Sequence, residues 1–401
     1  MSKDTNVPRI RFKGFTNAWE RDKLKNILSE FNKKSKIENQ YKILSSTNSG
    51  MEFRNGRVSG NSNTGYKIVK NGDLILSPQN LWLGNINVNN IGVGLVSPSY
   101  KTFNFTNIDS SFIEPQLKTK KMLEKYKNVS VQGASVVRRN LDLEAFYQID
   151  LNKPNIDEQL IIGNFFKKII LFITLQERKL ELYKQLKKYL LQKMFANEQE
   201  KVPQIRFKGF NEDWEQHKLE KLAKFSKGIG YTKNDLKDSG EPIILYGRLY
   251  TQYETVIKKV DTFVNKKVNS VVSTGGEVIV PASGETAKDI SRASAIGTSG
   301  IILAGDLNII DTGKDISSVF LALNISNGTQ QKELSKHAQG KSVVHLHNSD
   351  LKKVMLNHPS LNEQQKISSL FLNLDSLITG KNHKLKLYKQ LKQYLLQNLF
   401  C

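Results

Sequence analysis

Cysteine is almost missing from this 401-residue chain: Cys401, the last residue, stands alone. It cannot form an internal disulfide, which excludes a fold stapled by such bonds. Long apolar runs are missing too. Spanning a bilayer takes about 20 consecutive apolar residues, and the nearest approach, "IIGNFFKKIILFITL" (Ile161–Leu175), is broken by Lys167 and Lys168. That stretch reads as an amphipathic helix. The opening "MSKDTNVPRI" lacks the apolar core of a secretory signal, so the expected location is the cytoplasm, with no membrane partner. Acids are in deficit, with 38 Asp and Glu against 60 Lys and Arg and a net charge of +22. An excess of that size points to a polyanionic partner.

Motifs that carry chemistry are scarce as well. "QGKSVV" (Gln339–Val344) ends like a phosphate-binding loop, but Ser335 stands where the first glycine belongs, and its twin "QGASVV" (Gln132–Val137) has no lysine. "GVGLVS" (Gly92–Ser97) lacks the third glycine and the following helix of a dinucleotide fingerprint. His345 and His347 share one face of a strand, but no cysteine or third histidine lies nearby in sequence. "SGET" (Ser283–Thr286) offers a serine and an acid without a base. The expectation is a chain with no catalytic residues, no metal site and no cofactor of its own.

What the sequence does have is a duplication. Pro8–Leu24 returns as Pro203–Leu219 with 11 of 17 positions identical, where unrelated sequences would share about one. Lys179–Phe195 returns as Lys384–Phe400 with 13 of 17 identical. The two offsets are 195 and 205 residues, so each copy is domain-sized, far beyond the period of a solenoid repeat. Between these signatures the copies diverge, apart from traces such as "NGDLIL" (Asn71–Leu76) against "GGEVIV" (Gly275–Val280). A kept frame with changed inserts suits a molecule that does the same kind of thing on two different targets.

Each insert reads as short strands and turns, rich in Asn, Ser, Gly and β-branched residues. From Pro154 the texture changes to one long helix, capped near Asn155, with Glu158 in a first turn that favours acids. Ile162, Phe166, Ile169, Ile173, Leu180, Tyr183 and Leu190 recur at coiled-coil spacing, and Ile367, Phe371, Leu374, Ile378, Leu385, Tyr388 and Leu395 repeat them in the second copy. Two matching seams in one chain are natural partners, and Leu180, Tyr183 and Leu190 are expected to meet Leu385, Tyr388 and Leu395. Trp19 and Trp214, as repeated frame residues, are expected in the core.

Readers of nucleic acid need Lys and Arg for phosphates and polar side chains for base edges. Candidates in the first insert are Arg54, Arg57, Gln79, Asn80 and Trp82. In the second they are Lys227, Tyr231, Lys233, Arg248, Tyr250, Gln252, Tyr253, Lys288 and Arg292.

The paired "RFKGF" openings with their tryptophans, "KGIGYTKNDL" and "GEPIILYGRLYTQYE" in the second copy, "PNIDEQ" and "PSLNEQQKI" at the helix starts, and the twin "LYKQLK" helix ends together resemble the specificity subunit of Type I restriction-modification systems. The resemblance spans essentially the whole chain. It implies an α+β architecture of two mixed α/β target recognition domains joined by two long antiparallel coiled-coil helices, duplicated about a pseudo-twofold axis. The expected boundaries are 1–153 for the first recognition domain, 154–196 for the central helix and 197–217 for the linker and second signature. The second recognition domain then spans 218–358 and the C-terminal helix 359–401.

The function implied is sequence-specific recognition of double-stranded DNA, one half-site per domain, with the helices setting the spacing and docking methyltransferase subunits. Two modification subunits would bring S-adenosylmethionine, and two restriction subunits ATP and Mg. The alternative is a stand-alone DNA-binding or architectural protein.

Overall fold

The computed structural model describes residues 6–54, 62–132, 139–197, 200–338 and 343–400. Contacts divide the chain into two compact units, residues 1–177 with 383–401, and residues 178–382. Both long helices therefore contribute to both units.

In the first unit, strand β1 (Glu20–Lys23) pairs antiparallel with β2 (Asp150–Lys153), closing a ribbon where the chain enters and leaves the insert. Helix α1 (Ile156–Lys193) follows at once. Asn155 caps it, its side-chain oxygen accepting the Glu158 N–H at 3.0 Å. In the second unit β3 (Glu215–Lys218) pairs in the same way with β4 (Met355–His358), and helix α2 (Leu361–Asn398) follows.

The inserts, unlike in sequence, share a sheet. In the first unit its strands run in the order 28–30, 101–105, 74–76, 86–88, all antiparallel. In the second the order is 224–227, 307–311, 278–281, 294–296, followed by a parallel edge at 256–257. The sequence trace shared by the copies lies at the centre of each sheet: Leu74, Ile75, Leu76 and Val278, Ile279, Val280 are fully buried. The turn before each strand is built alike. Gly72 and Gly276 take φ of +92° and +101°, and the following acid accepts backbone N–H groups, Lys70 to Asp73 at 2.6 Å and Thr274 to Glu277 at 2.5 Å. A second sheet in the second insert, in the order 236–237, 263–264, 241–244, 302–303, carries a smaller apolar cluster of its own.

The repeated signatures meet in each unit. Arg11 clamps Glu158 with two hydrogen bonds of 2.8 and 2.7 Å, and Arg206 clamps Glu363 with 2.7 and 2.8 Å. Glu158 thus does more than favour its helix dipole: it ties the opening signature to the helix start. The neighbouring glutamines act alike. Gln159 accepts from the Asp109 N–H and Gln364 from the Ser317 N–H, both at 2.9 Å, and each donates to the proline carbonyl that precedes its helix.

Trp19 and Trp214 are core residues, 2% and 6% exposed. Trp19 lies edge-on to Phe112 at 5.6 Å, and Trp214 to Phe320 at 5.9 Å. Each cluster is completed by the last phenylalanine of the other copy's repeat. Phe400 stacks on Phe166 at 5.6 Å in the first unit, and Phe195 packs on Phe371 at 6.0 Å in the second.

All fourteen seam residues are buried or half-buried. Within the first unit α1 and α2 run antiparallel: besides Phe166 with Phe400, Phe172 meets Tyr388 at 4.9 Å and Glu177 pairs with Lys389 at 2.6 Å. Within the second, Lys187 pairs with Asp375 while Phe195 meets Phe371, the same sense. For Leu190, Leu395 and Tyr388 the partners differ from the expected like-with-like ones. Leu190 packs against the cluster of Ile367, Phe371 and Leu374, and Leu395 against that of Ile162 and Phe166. Antiparallel register requires this, because it sets the end of each helix against the start of the other.

Candidate nucleic-acid interface

In the first unit two exposed cations, Lys42 and Arg54, flank a short hairpin, 44–46 with 51–53. Buried polar groups hold that hairpin against the sheet. Asn85 accepts from Ser46 Oγ at 2.6 Å, and the Asn87 side-chain amide donates to Ser46 Oγ and to the Thr47 carbonyl, both at 2.7 Å. Lys33, Lys34 and Lys36 lie exposed on a separate segment, pinned to strand 67–69 by Ile68 N–H to the Lys33 carbonyl and Ser35 N–H to the Tyr66 carbonyl, both at 2.7 Å. Lys42 lies over the exposed Phe53 ring at 5.3 Å, and Arg54 follows, also exposed.

Gln79 is exposed, whereas Asn80 is half-buried ahead of the turn 81–83. Trp82 packs half-buried against the core. Arg57 lies outside the described residues, as do residues 133–138 and 339–342, which hold most of both "QG" motifs.

The second unit brings its candidates together in two groups. The first surrounds Tyr231, whose ring is buried and whose hydroxyl acts as a latch: it accepts the Lys267 N–H at 2.7 Å and meets Ser270 Oγ at 2.5 Å. Lys267 lies over that ring at 4.5 Å and donates to Asp235 at 2.7 Å. This bond, with further ones from Thr232, holds the Asp235 carboxyl down to about 2. The turn at 228 must stay thin, since a Cβ on Gly228 would lie 1.9 Å from the Ala304 carbonyl oxygen. Locked together, the two loops present Lys227, Lys233 and Lys266 as exposed cations, with Ile229 and the fully exposed Val268 beside them.

The other group surrounds Tyr253. Arg292 lies over its ring at 5.8 Å, and Tyr250 lies 6.1 Å from Tyr246. Burial first raises the pKa of both the Tyr250 and the Tyr253 hydroxyl, keeping them protonated as donors. Arg248 is occupied by Asp261 at 2.7 Å, Glu254 at 3.0 Å and the Gln252 side chain at 2.8 Å. Lys288 is exposed, and Arg292 also faces Asp289 at 3.9 Å. The acids here offset much of the positive charge. The surface around Tyr231 is the more strongly basic of the two.

Lys33, Lys34, Lys36 and Lys266 join the candidates from the structure. Their signal was legible: a lysine pair between strand-like stretches, in "NKKSK" (Asn32–Lys36) and "NKKVN" (Asn265–Asn269). Among the described residues no helix is long and apolar enough to cross a membrane.

Residues 211–389 match the family model described as the Type I restriction modification DNA specificity domain. A curated relative, the Type I restriction enzyme MjaVIII specificity subunit of Methanocaldococcus jannaschii, is 22% identical over 290 residues, 70% of this chain and 67% of the relative. Among solved structures, the Type-I restriction-modification system S subunit from M. genitalium matches with a TM-score of 0.59 at 13% identity, over 98% of this chain and 99% of that one. A chain solved in work on the complex assembly and conformational transition of the type I R-M system matches with a TM-score of 0.52 at 13% identity, over 94% and 96%. At these identities the two structures share the fold.

Proposed function

This chain belongs to the DNA specificity subunits of Type I restriction-modification systems, and on that premise we propose that its two inserts are independent readers, each taking one half of a split double-stranded site. The observation that carries the reading is the contrast between frame and insert. The Arg–Glu clamp, the tryptophan cluster and the closing ribbon recur residue by residue. The loops above the shared sheet differ in length, sequence and polar groups.

The first reader meets DNA through the hairpin 44–53 with Lys42 and Arg54 and through the segment that carries Lys33, Lys34 and Lys36, the second through the platform of Lys227, Lys233 and Lys266. These lysines neutralise phosphates and fix register, and the neighbouring polar loop residues read base edges. Tyr231 and Arg248 act one step back, as the latch and the ion-paired brace that hold the loops.

The paired helices space the readers and dock two modification subunits. Those supply S-adenosylmethionine and adenine methylation, and two restriction subunits supply ATP- and Mg-dependent cleavage. Sequence choice is this chain's share, and the chemistry belongs to its partners.

The test is to map methylated adenines in a host carrying the modification subunit with and without this chain. A split motif with an unread spacer that appears only with the chain is expected. Methylation independent of the chain, or confined to one continuous motif, would overturn the reading.

A further inference from the structure

Each copy of the frame closes the neck of its insert with a two-stranded ribbon, and three positions of that ribbon share one face. In the first copy they are Glu20, Asp22 and Lys153, with Glu20 opposite Lys153. In the second they are Glu215, His217 and His358, with Glu215 opposite His358. Alternation along a strand puts the residue two places on at the same face. The first copy fills the face with an ion pair, Lys153 Nζ donating to Asp22 at 2.6 Å. In the second copy both members of that pair are histidines.

The histidines are poised together. His217 Nδ1 lies 3.0 Å from His358 Nε2, and the rings stack at 5.3 Å and 30°. A Glu215 carboxylate oxygen is 3.7 Å from His217 Nδ1, and one ligand atom from each of the three residues lies within 4.8 Å of the others. The far nitrogen of His358, Nδ1, faces the Pro359 carbonyl at 3.3 Å. A proton on Nδ1, donated to that carbonyl, leaves Nε2 unprotonated toward His217 Nδ1. A backbone carbonyl on the distal nitrogen is the outer contact that metal-bound imidazoles carry. Two nitrogens bound at the usual zinc distance lie about 3.0–3.4 Å apart at angles between square and tetrahedral.

We propose that Glu215, His217 and His358 bind a divalent transition-metal ion of the zinc class, which clamps the neck of the second insert where the first copy uses an ion pair. Two imidazoles and one carboxylate select zinc and its late-transition neighbours over magnesium or calcium, which favour all-oxygen shells. Glu215 is exposed and His217 half-buried, and the face opens into a cavity also lined by Asn211 and Asp315, which leaves a coordination position for water. Unlike the ion pair, the clamp would join the two strands only when metal is available.

The experiment titrates untagged, metal-free full chain with Co²⁺, read by its visible d–d bands, and with Zn²⁺, read by the melting temperature. One Co²⁺ per chain and a Zn²⁺-dependent rise in melting temperature are expected. The double variant His217→Asp with His358→Lys installs the first copy's ion pair, and should fold while losing both signals. Should it not fold, His217→Ala alone must weaken Co²⁺ binding by at least about tenfold, the lower end of what even an outer-shell contact costs. Absence of both signals in the wild type at micromolar metal would overturn the proposal. So would their persistence in the variants, which would place the ion elsewhere, as at His345 and His347.

Discussion

Arg206 and Glu363 hold the second copy's opening signature to its helix, and the pair is nearly dry, with side chains 15% and 1% exposed. The hydrogen bond to Glu363 raises the Arg206 pKa further, so the guanidinium charge is permanent. Arg206→Ala leaves the Glu363 carboxylate buried without its partner, which costs about 3–5 kcal/mol. Urea unfolding should register a loss of that order, and a change below about 1 kcal/mol would contradict the role assigned to the clamp.

Asp22 predicts a pH effect in the first copy. Burial pushes its carboxyl up, but hydrogen bonds from Lys153, Asn26 and the Lys23 N–H outweigh it, so the folded pKa lies below the ordinary value. A folded pKa below the unfolded one stabilises above the unfolded value and fades as pH falls through the folded one. The stability gap between wild type and Asp22→Asn should therefore hold from about pH 7 to 5 and shrink below about pH 4. A gap that widens in acid would contradict the assignment.

These residues show where sequence stops. "RFKGF" and the "EQ" of "PNIDEQ" and "PSLNEQ" were visible as repeated phrases, but not that Arg11 and Glu158, 147 positions apart, touch. The charge of Arg248 was visible, but not Asp261 and Glu254 beside it. The one-face alignment of His217 and His358, 141 positions apart, needed the strand register.

Among elements, the long helices were the most legible, because their seam repeats at fixed spacing over five turns and more in both copies. Periodicity gives the buried face and leaves the register open. Leu190 and Leu395 were matched by resemblance in sequence, while antiparallel geometry sends each to the start of the other helix. The shared sheet was least legible: its strands are two to five residues long and their order is set by long-range pairing.

One close approach between elements yields a test. A Cβ on Gly163 of α1 would lie 2.1 Å from Ser111 Oγ and 2.9 Å from the Phe112 backbone nitrogen, at the start of the helix that carries Phe112 to Trp19. In an open helix Gly→Ala gains about 1 kcal/mol. Here overpacking, at about 1–3 kcal/mol, should win and push that helix off the core. Gly163→Ala is expected to lower the melting temperature, and a rise would show that the two helices are less tightly packed than described.

At the scale of the whole molecule, a charge of +22 supplies attraction to DNA without sequence preference. Selectivity must then come from what differs between the copies, and the differences are concentrated in the inserts while the ribbons, clamps and helices are held in common. An insert leaves and rejoins the frame through a two-stranded neck, β1 with β2 or β3 with β4. It can therefore be exchanged without cutting a helix or a clamp.

The most direct measurement of the central claim is such an exchange: residues 219–354 replaced by the corresponding insert of a related subunit with a different methylation motif, followed by mapping of methylated adenines. One half of the split motif should change to the donor's, while the other half keeps its bases. A change in both halves, or in neither, would contradict independent readers on a duplicated frame.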